Sequence, residues 1–193
     1  MQRKNFSNNQ GFTLLEILVT IFIIGLLSTA MLANYKQGNR DNELNMKAEA
    51  LAANIRWAQN NTLGSVKYGD SVPSGGWGVY LKESKSGEYV VFANINYEEG
   101  NLEYDEPKES DPDKGAKTLS LGSEVEIKDL NISGDETGDE TEELHISFLP
   151  PDPQTIIYDG TSTGTEASII LESNSGREKT VKINSFGLIE VSD

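Results

Sequence analysis

Three groups of residues in this sequence have the types and spacing to do chemistry. The first is a lone acid. From Phe12 to Ala33 the chain runs 22 residues with Glu16 as the only ionisable side chain. A carboxylate at the centre of a membrane helix costs about 2.5–3.5 kcal/mol, and less near the end, so Glu16 reads as a functional residue. The second is Gly160-Thr161-Ser162-Thr163-Gly164, which matches the G-x-S-x-G nucleophile elbow. An elbow needs a strand before it and a helix after it, whereas Glu166 to Glu172 alternates like a strand. The only histidine, His145, falls in an earlier strand and is expected to be a surface or hydrogen-bonded strand histidine. A hairpin turn of small residues is therefore the expected structure around Ser162. The third group is a pair of acidic runs. Glu98 to Asp113 holds eight acids against Lys108 alone, and Gly134 to Glu143 holds six with no base. Calcium takes six to eight oxygens from such carboxylates, which makes Asp105, Asp135 and Asp139 candidate ligands. Neither run has EF-hand spacing, so a solvated acidic loop is expected and a calcium site is the alternative.

Composition narrows the function further. The chain has 193 residues, room for one soluble domain and a helix, with a net charge of -15. A polyanionic surface repels phosphate backbones, so nucleic acid is not an expected partner of the exposed domain. Cysteine is absent and there is one histidine, which rules out disulfides, thiolate metal sites and multi-histidine zinc sites. No phosphate loop, dinucleotide fingerprint or nucleophile–base pair is present, so no enzyme activity and no cofactor beyond the calcium option is expected. Trp57 and Trp77 are expected in the core.

The elements that must position these residues begin with a helix. Phe12 to Ala33 would be roughly 33 Å long, enough to cross a hydrocarbon core of about 30 Å. Met1 to Gly11 carries Arg3 and Lys4 and stops before the apolar run, unlike a secretory signal cut after it. Lys36 and Arg40 follow the run, so the distribution of basic residues does not set the topology. Gly25, Thr29 and Ala33 recur every four residues, either a face for close helix approach or the general small-residue richness of membrane helices. Gly38, Asn39, Asp41 and Asn42 are weak helix formers. Beyond them Leu44, Ala48, Leu51, Ile55 and Ala58 form one apolar stripe, and Gly64 is a credible stop. A single helix from Phe12 to Leu63 would be roughly 75 Å long.

The remainder has β character, with strands expected at Gly76–Lys82, Tyr89–Ile95, Lys117–Leu121, Glu124–Ile132, Glu143–Leu149, Thr155–Tyr158, Ala167–Glu172, Lys179–Asn184 and Leu188–Val191. The fold class is α+β: a long N-terminal helix packed on an antiparallel sheet or sandwich. The expected divisions are a basic leader at 1–11, a transmembrane helix at 12–33, an amphipathic extension at 34–64 and a β-rich domain at 65–193.

Gly11-Phe12-Thr13-Leu14-Leu15-Glu16 and the Ile-Leu-Val-Thr-Ile-Phe-Ile-Ile-Gly that continues the helix resemble the signal of type IV pilins and type II secretion pseudopilins. The resemblance implies cleavage between Gly11 and Phe12 by a prepilin peptidase and N-methylation of the new Phe12 amine. It implies that Glu16 neutralises the amine of a neighbouring subunit during assembly, and Gly25 matches the family's mid-helix glycine. Three further segments are similar to the H-type minor pseudopilins: Leu-Ala-Ala-Asn-Ile-Arg-Trp-Ala-Gln at 51–59, Gly-Trp-Gly-Val-Tyr at 76–80 and Val-Lys-Ile-Asn-Ser-Phe-Gly-Leu-Ile-Glu-Val at 181–191. Asn94 to Pro151 carries no part of this resemblance.

The resemblance implies a structural filament subunit, held in the inner membrane with its N-terminus cytoplasmic and its C-terminal domain outside. Its partners would be the peptidase, the lipid bilayer, other pilin or pseudopilin subunits and a membrane assembly platform. A tip-located module binding secreted substrate, surface ligand or DNA is the second expectation. A membrane-tethered enzyme dependent on Ser162 is the third.

Overall fold

The stripe at residues 44–58 is the seed of the packing, because a half-apolar helix in water must be covered. The computed structural model describes residues 11–95, 116–133, 141–151 and 154–193, without the side chains of 32–39. Helix α1 spans Leu14–Leu63 and carries the chain through the weak helix formers at 38–42. The chain divides into two compact units, Met1–Asn39 and Arg40–Asp193.

In the second unit, Leu44, Ala48, Leu51, Ile55 and Ala58 are all buried, with Ala52 and Thr62 beside them. They share one continuous core with the inner faces of two antiparallel sheets. The strands are β1 (Trp77–Lys82), β2 (Glu88–Ala93), β3 (Lys117–Ser120), β4 (Val125–Ser133) and β5 (Glu143–Leu149). They continue as β6 (Gln154–Tyr158), β7 (Thr163–Gly164), β8 (Glu166–Ser173), β9 (Glu178–Asn184) and β10 (Ile189–Ser192). One sheet has the order β3-β2-β1-β5-β6-β7 and the other β10-β9-β8-β4. The two-residue β7 is too short to leave any alternation in the sequence, and it is the strand that the sequence pattern does not reveal.

Local chemistry explains the register. In β4 the apolar residues fall at Val125, Ile127, Leu130 and Ile132, and a bulge between Ile127 and Asp129 turns both pairs inward. Strand β1 is buried on both faces, and the two glycines at its start are there for close approach. Gly76 has a φ of 71°, and a Cβ on it would lie 1.9 Å from the Phe148 carbonyl oxygen. A Cβ on Gly78 would lie 2.7 Å from Cζ of Phe92.

The helix flanks are pinned by polar bonds. Asn54 donates to the Tyr89 hydroxyl at 2.7 Å, and Lys47 reaches the Ser120 carbonyl at 3.5 Å. On the other flank Arg56 donates to the Ile189 carbonyl at 2.9 Å and Gln59 to the Gly187 carbonyl at 3.1 Å. Near the start of the unit, Arg40 pairs with Glu124 at 3.0 Å and Asp41 with Arg177 at 2.6 Å. Segments 51–59, 76–80 and 181–191 are thus the helix face, the strand that bonds Thr62, and the hairpin that takes Arg56 and Gln59.

The closure of the helix does not rest on Gly64 alone. The Val66 N–H bonds the Asn61 carbonyl and the Ser65 N–H bonds the Thr62 carbonyl, a Schellman closure. Its left-handed residue is Ser65, at φ 49°, not Gly64. A non-glycine residue in that conformation costs about 1–2 kcal/mol, partly offset by glycine's greater chain entropy. Ser65→Gly is therefore expected to stabilise the domain by about 0.5–1 kcal/mol. A thermal melt of the full chain in detergent should rise by roughly 1–4 °C, and an unchanged or lower midpoint would refute the strain.

Candidate assembly site

Gly11, Phe12 and Thr13 lie outside the helix, and α1 begins at Leu14. Thr13 is the cap. Its hydroxyl accepts the Glu16 N–H at 3.3 Å and its carbonyl accepts the Ile17 N–H at 3.2 Å. Thr-x-x-Glu is the sequence signature of a capping box, a signal in Gly-Phe-Thr-Leu-Leu-Glu that reading the segment for its acid alone does not use. Glu16 consequently occupies the first turn, where the unsatisfied N–H groups of the helix stabilise a negative charge by about 0.3–1 kcal/mol.

Every residue from Leu14 to Met31 is unburied, and this 18-residue stretch is long and apolar enough to cross a membrane. Its hydroxyls need no outside partner. Those of Thr20, Ser28 and Thr29 each donate to a carbonyl of the preceding turn at 2.8 Å, which is what polar groups in lipid require. At Gly25 nothing lies within 4 Å of where a Cβ would be, so its face is open. Phe12 is 79% exposed, and Glu16, one turn along, is exposed as well.

The other candidates separate cleanly. Ser162 sits in the hairpin between β6 and β7, and the segment after it is strand β8 instead of a helix. Its hydroxyl donates to Asp159 Oδ2 at 3.0 Å, while Asp159 Oδ1 takes the N–H groups of Thr161 and Ser162 at 2.7 and 2.6 Å. Partial burial alone would raise the Asp159 carboxyl, but these bonds outweigh it and hold it below its usual value. The motif is an aspartate-clamped turn.

His145 is not a surface residue. It is buried in β5, with ring centres of Tyr80 and Tyr158 at 4.7 and 5.7 Å and Glu143 Oε1 at 3.9 Å from Nε2. Trp77 is in the core, but Trp57 is 47% exposed, because it falls on the flank of α1, off the buried stripe. The calcium candidates Asp105, Asp135 and Asp139 lie outside the described residues. Among the described residues no cluster of three or more metal-ligating side chains occurs.

An unburied apolar helix behind a capped, acidic first turn, followed by a two-sheet domain built on an amphipathic helix, is an α+β pilin-like architecture whose first helix is long and apolar enough to cross a membrane. Comparison with known proteins agrees. The family of the prokaryotic N-terminal methylation motif matches residues 6–32. The type IV major pilin protein PilE1 of Neisseria gonorrhoeae is 27% identical over 155 residues, covering 73% of this chain and 84% of that protein. No solved structure matches. The chain thus carries a prepilin-type N-terminal methylation motif and is similar to a type IV pilin.

The buried histidine gives the domain a pH response. Burial, the largest influence, lowers the His145 pKa, and the Glu143 carboxylate only partly restores it. A depressed folded pKa means that the unfolded chain takes the proton more readily. The contribution is complete above the unfolded value of about 6.5 and is lost as pH falls from there through the folded pKa. Because it is the only histidine, denaturant melts of the full chain at pH 7.5 and 5.5 should show lower stability at 5.5. His145→Gln should flatten that difference, and an equal slope in the variant would exclude the assignment.

Proposed function

We propose that this chain is the precursor of a filament subunit, cleaved between Gly11 and Phe12 by a prepilin peptidase, N-methylated on Phe12 and assembled through residues 12–33. The observation that supports it best is Glu16: one ionisable group in an otherwise uncharged, unburied apolar helix, a single turn from the amine that cleavage would create. In a bundle of such helices, a neighbour's Phe12 amine neutralises the carboxylate, and a paired charge in lipid costs far less than a lone one. Gly25 contributes an open helix face for close packing.

In this reading the helix holds the precursor in the inner membrane, N-terminus cytoplasmic and β domain extracytoplasmic, until a membrane assembly platform moves it into the filament. The H-type segments favour a minor subunit of a type II secretion pseudopilus. The likeness to a protein named a major pilin favours a bulk pilus subunit. The copy number in isolated filaments separates the two.

The test is intact mass and N-terminal sequencing of membrane protein, with and without an active prepilin peptidase. A chain beginning at N-methyl-Phe12 only with the peptidase is the expected result, and a chain still beginning at Met1 would refute the reading. Glu16→Ala should leave cleavage intact and cut filament yield on the order of a hundredfold, as expected for a broken buried ion pair of about 3 kcal/mol. Wild-type yield would remove Glu16 from assembly.

A further inference from the structure

Two apolar features of the β domain, an exposed hairpin tip and a cleft, lie on opposite flanks of α1. One is a knob. Phe186 is 93% exposed and Leu188 55% exposed at the tip of the β9–β10 hairpin. The tip is held firmly: the Asn184 side chain accepts the N–H groups of both Phe186 and Leu188 at 3.1 Å, and Gln59 binds the Gly187 carbonyl. The Phe186 ring is thus held out in water on a braced hairpin, where it adds little to the core.

The other feature is a cleft of about 400 Å³, within the usual range for binding pockets. Trp57, Tyr68 and Trp77 wall it, Asn54 and Ala116 line it, and Lys117 stands at its edge. The rings of Trp57 and Tyr68 each meet Trp77 edge-on, at 5.1 and 6.2 Å. An aromatic knob can join such a set by the same geometry.

The helix separates knob and cleft. Asn54 of the cleft and Arg56, which holds the knob hairpin, are two residues apart and so point about 160° apart around α1. A chain therefore presents its knob on one side and its cleft on the other. Charge is matched too. Lys117 makes no ion pair among the described residues, and neither do Glu166 and Glu190, which flank Leu188 beside Lys182.

We propose that Phe186 of one copy seats in the Trp57–Tyr68–Trp77 cleft of the next copy, with Lys117 facing the acids at the knob's base. Such a contact joins two different patches and propagates head to tail, giving a helical filament when the rotation does not close. The inference rests on the filament reading and supplies a lateral contact between β domains, distinct from the packing of the helices.

The chain has no cysteine, so introduced thiols report alone. Ser185→Cys beside the knob and Ala116→Cys in the cleft are made in separately tagged full-length chains. They are mixed in membranes with a prepilin peptidase and treated with a short bis-maleimide. The expected product is a mixed dimer, absent when either chain is used alone, and reduced at least tenfold by Phe186→Ser, which changes an exposed tip residue and should leave the melting midpoint unaltered. Leu18→Cys chains, oxidised to a disulfide, monitor the helices independently. If Leu18 pairs form without a 185–116 product, the knob-and-cleft contact is wrong and the filament reading stands. If neither forms, the filament reading fails and takes this contact with it. A 185–116 product that survives Phe186→Ser, or an Ala116→Cys adduct of another mass, would also overturn the proposal, the latter by giving the cleft to a different protein.

Discussion

The stripe of Leu44, Ala48, Leu51, Ile55 and Ala58 must be kept from water, and the architecture of the β domain depends on how that is done. Two sheets share the work, and bonds from opposite flanks of the helix run to different ones: Asn54 to β2 in the first sheet, Arg56 to β10 in the second. Each buried side chain of that stripe contributes hydrophobic stabilisation in proportion to its apolar area, about 25 cal/mol per Å². The flanking bonds add less energy but fix the rotation of the helix about its own axis. That rotation decides which residues remain at the surface. Trp57 is exposed because Ile55 and Ala58 are not.

Residues 14–31 obey the opposite rule. No side chain in them is buried by the chain itself, so their apolar surface is left for lipid or for other helices. In lipid there is no hydrophobic gain from helix–helix contact, and association relies on close packing and polar pairing. An open glycine face and a lone carboxylate are the two devices that stretch offers. Thr13 matters here because it fixes where the helix begins, and so sets Glu16 in the first turn, where the helix end favours a negative charge.

Much of this was legible in the sequence, for identifiable reasons. A strand with a strongly apolar face writes its alternation directly, as in Leu144, Ile146 and Phe148 of β5, and the helix stripe does the same with its spacing of three and four. The α+β class is legible in those periods. Legibility failed where the decisive interaction is long-range. Nothing near His145 in the chain says that its face of β5 is buried, because Tyr80 and Tyr158 come from two other strands. The exposure of Trp57 depends on how its flank of the helix is covered, where Trp77 meets it edge-on but leaves it 47% exposed, and the local spacing does not say so. The N-terminus is the most legible part, since Gly-Phe-Thr-Leu-Leu-Glu carries a local signal that needs no tertiary context.

Charge sets the terms on which copies of such a domain can meet. Loss of residues 1–11 would remove Arg3 and Lys4 and make a chain of net charge -15 more negative still. Approaching copies repel, although a Debye length of about 8 Å at physiological salt confines the repulsion to short range. Contacts that hold must therefore be apolar or locally basic, and they act together. In the proposed assembly, helices in the membrane would bring two domains close, and a weak lateral contact would then become intramolecular in effect, strengthened by the high local concentration. A subunit of this kind needs no strong patch on its β domain, and one strong enough to act in solution would join copies before the membrane had ordered them.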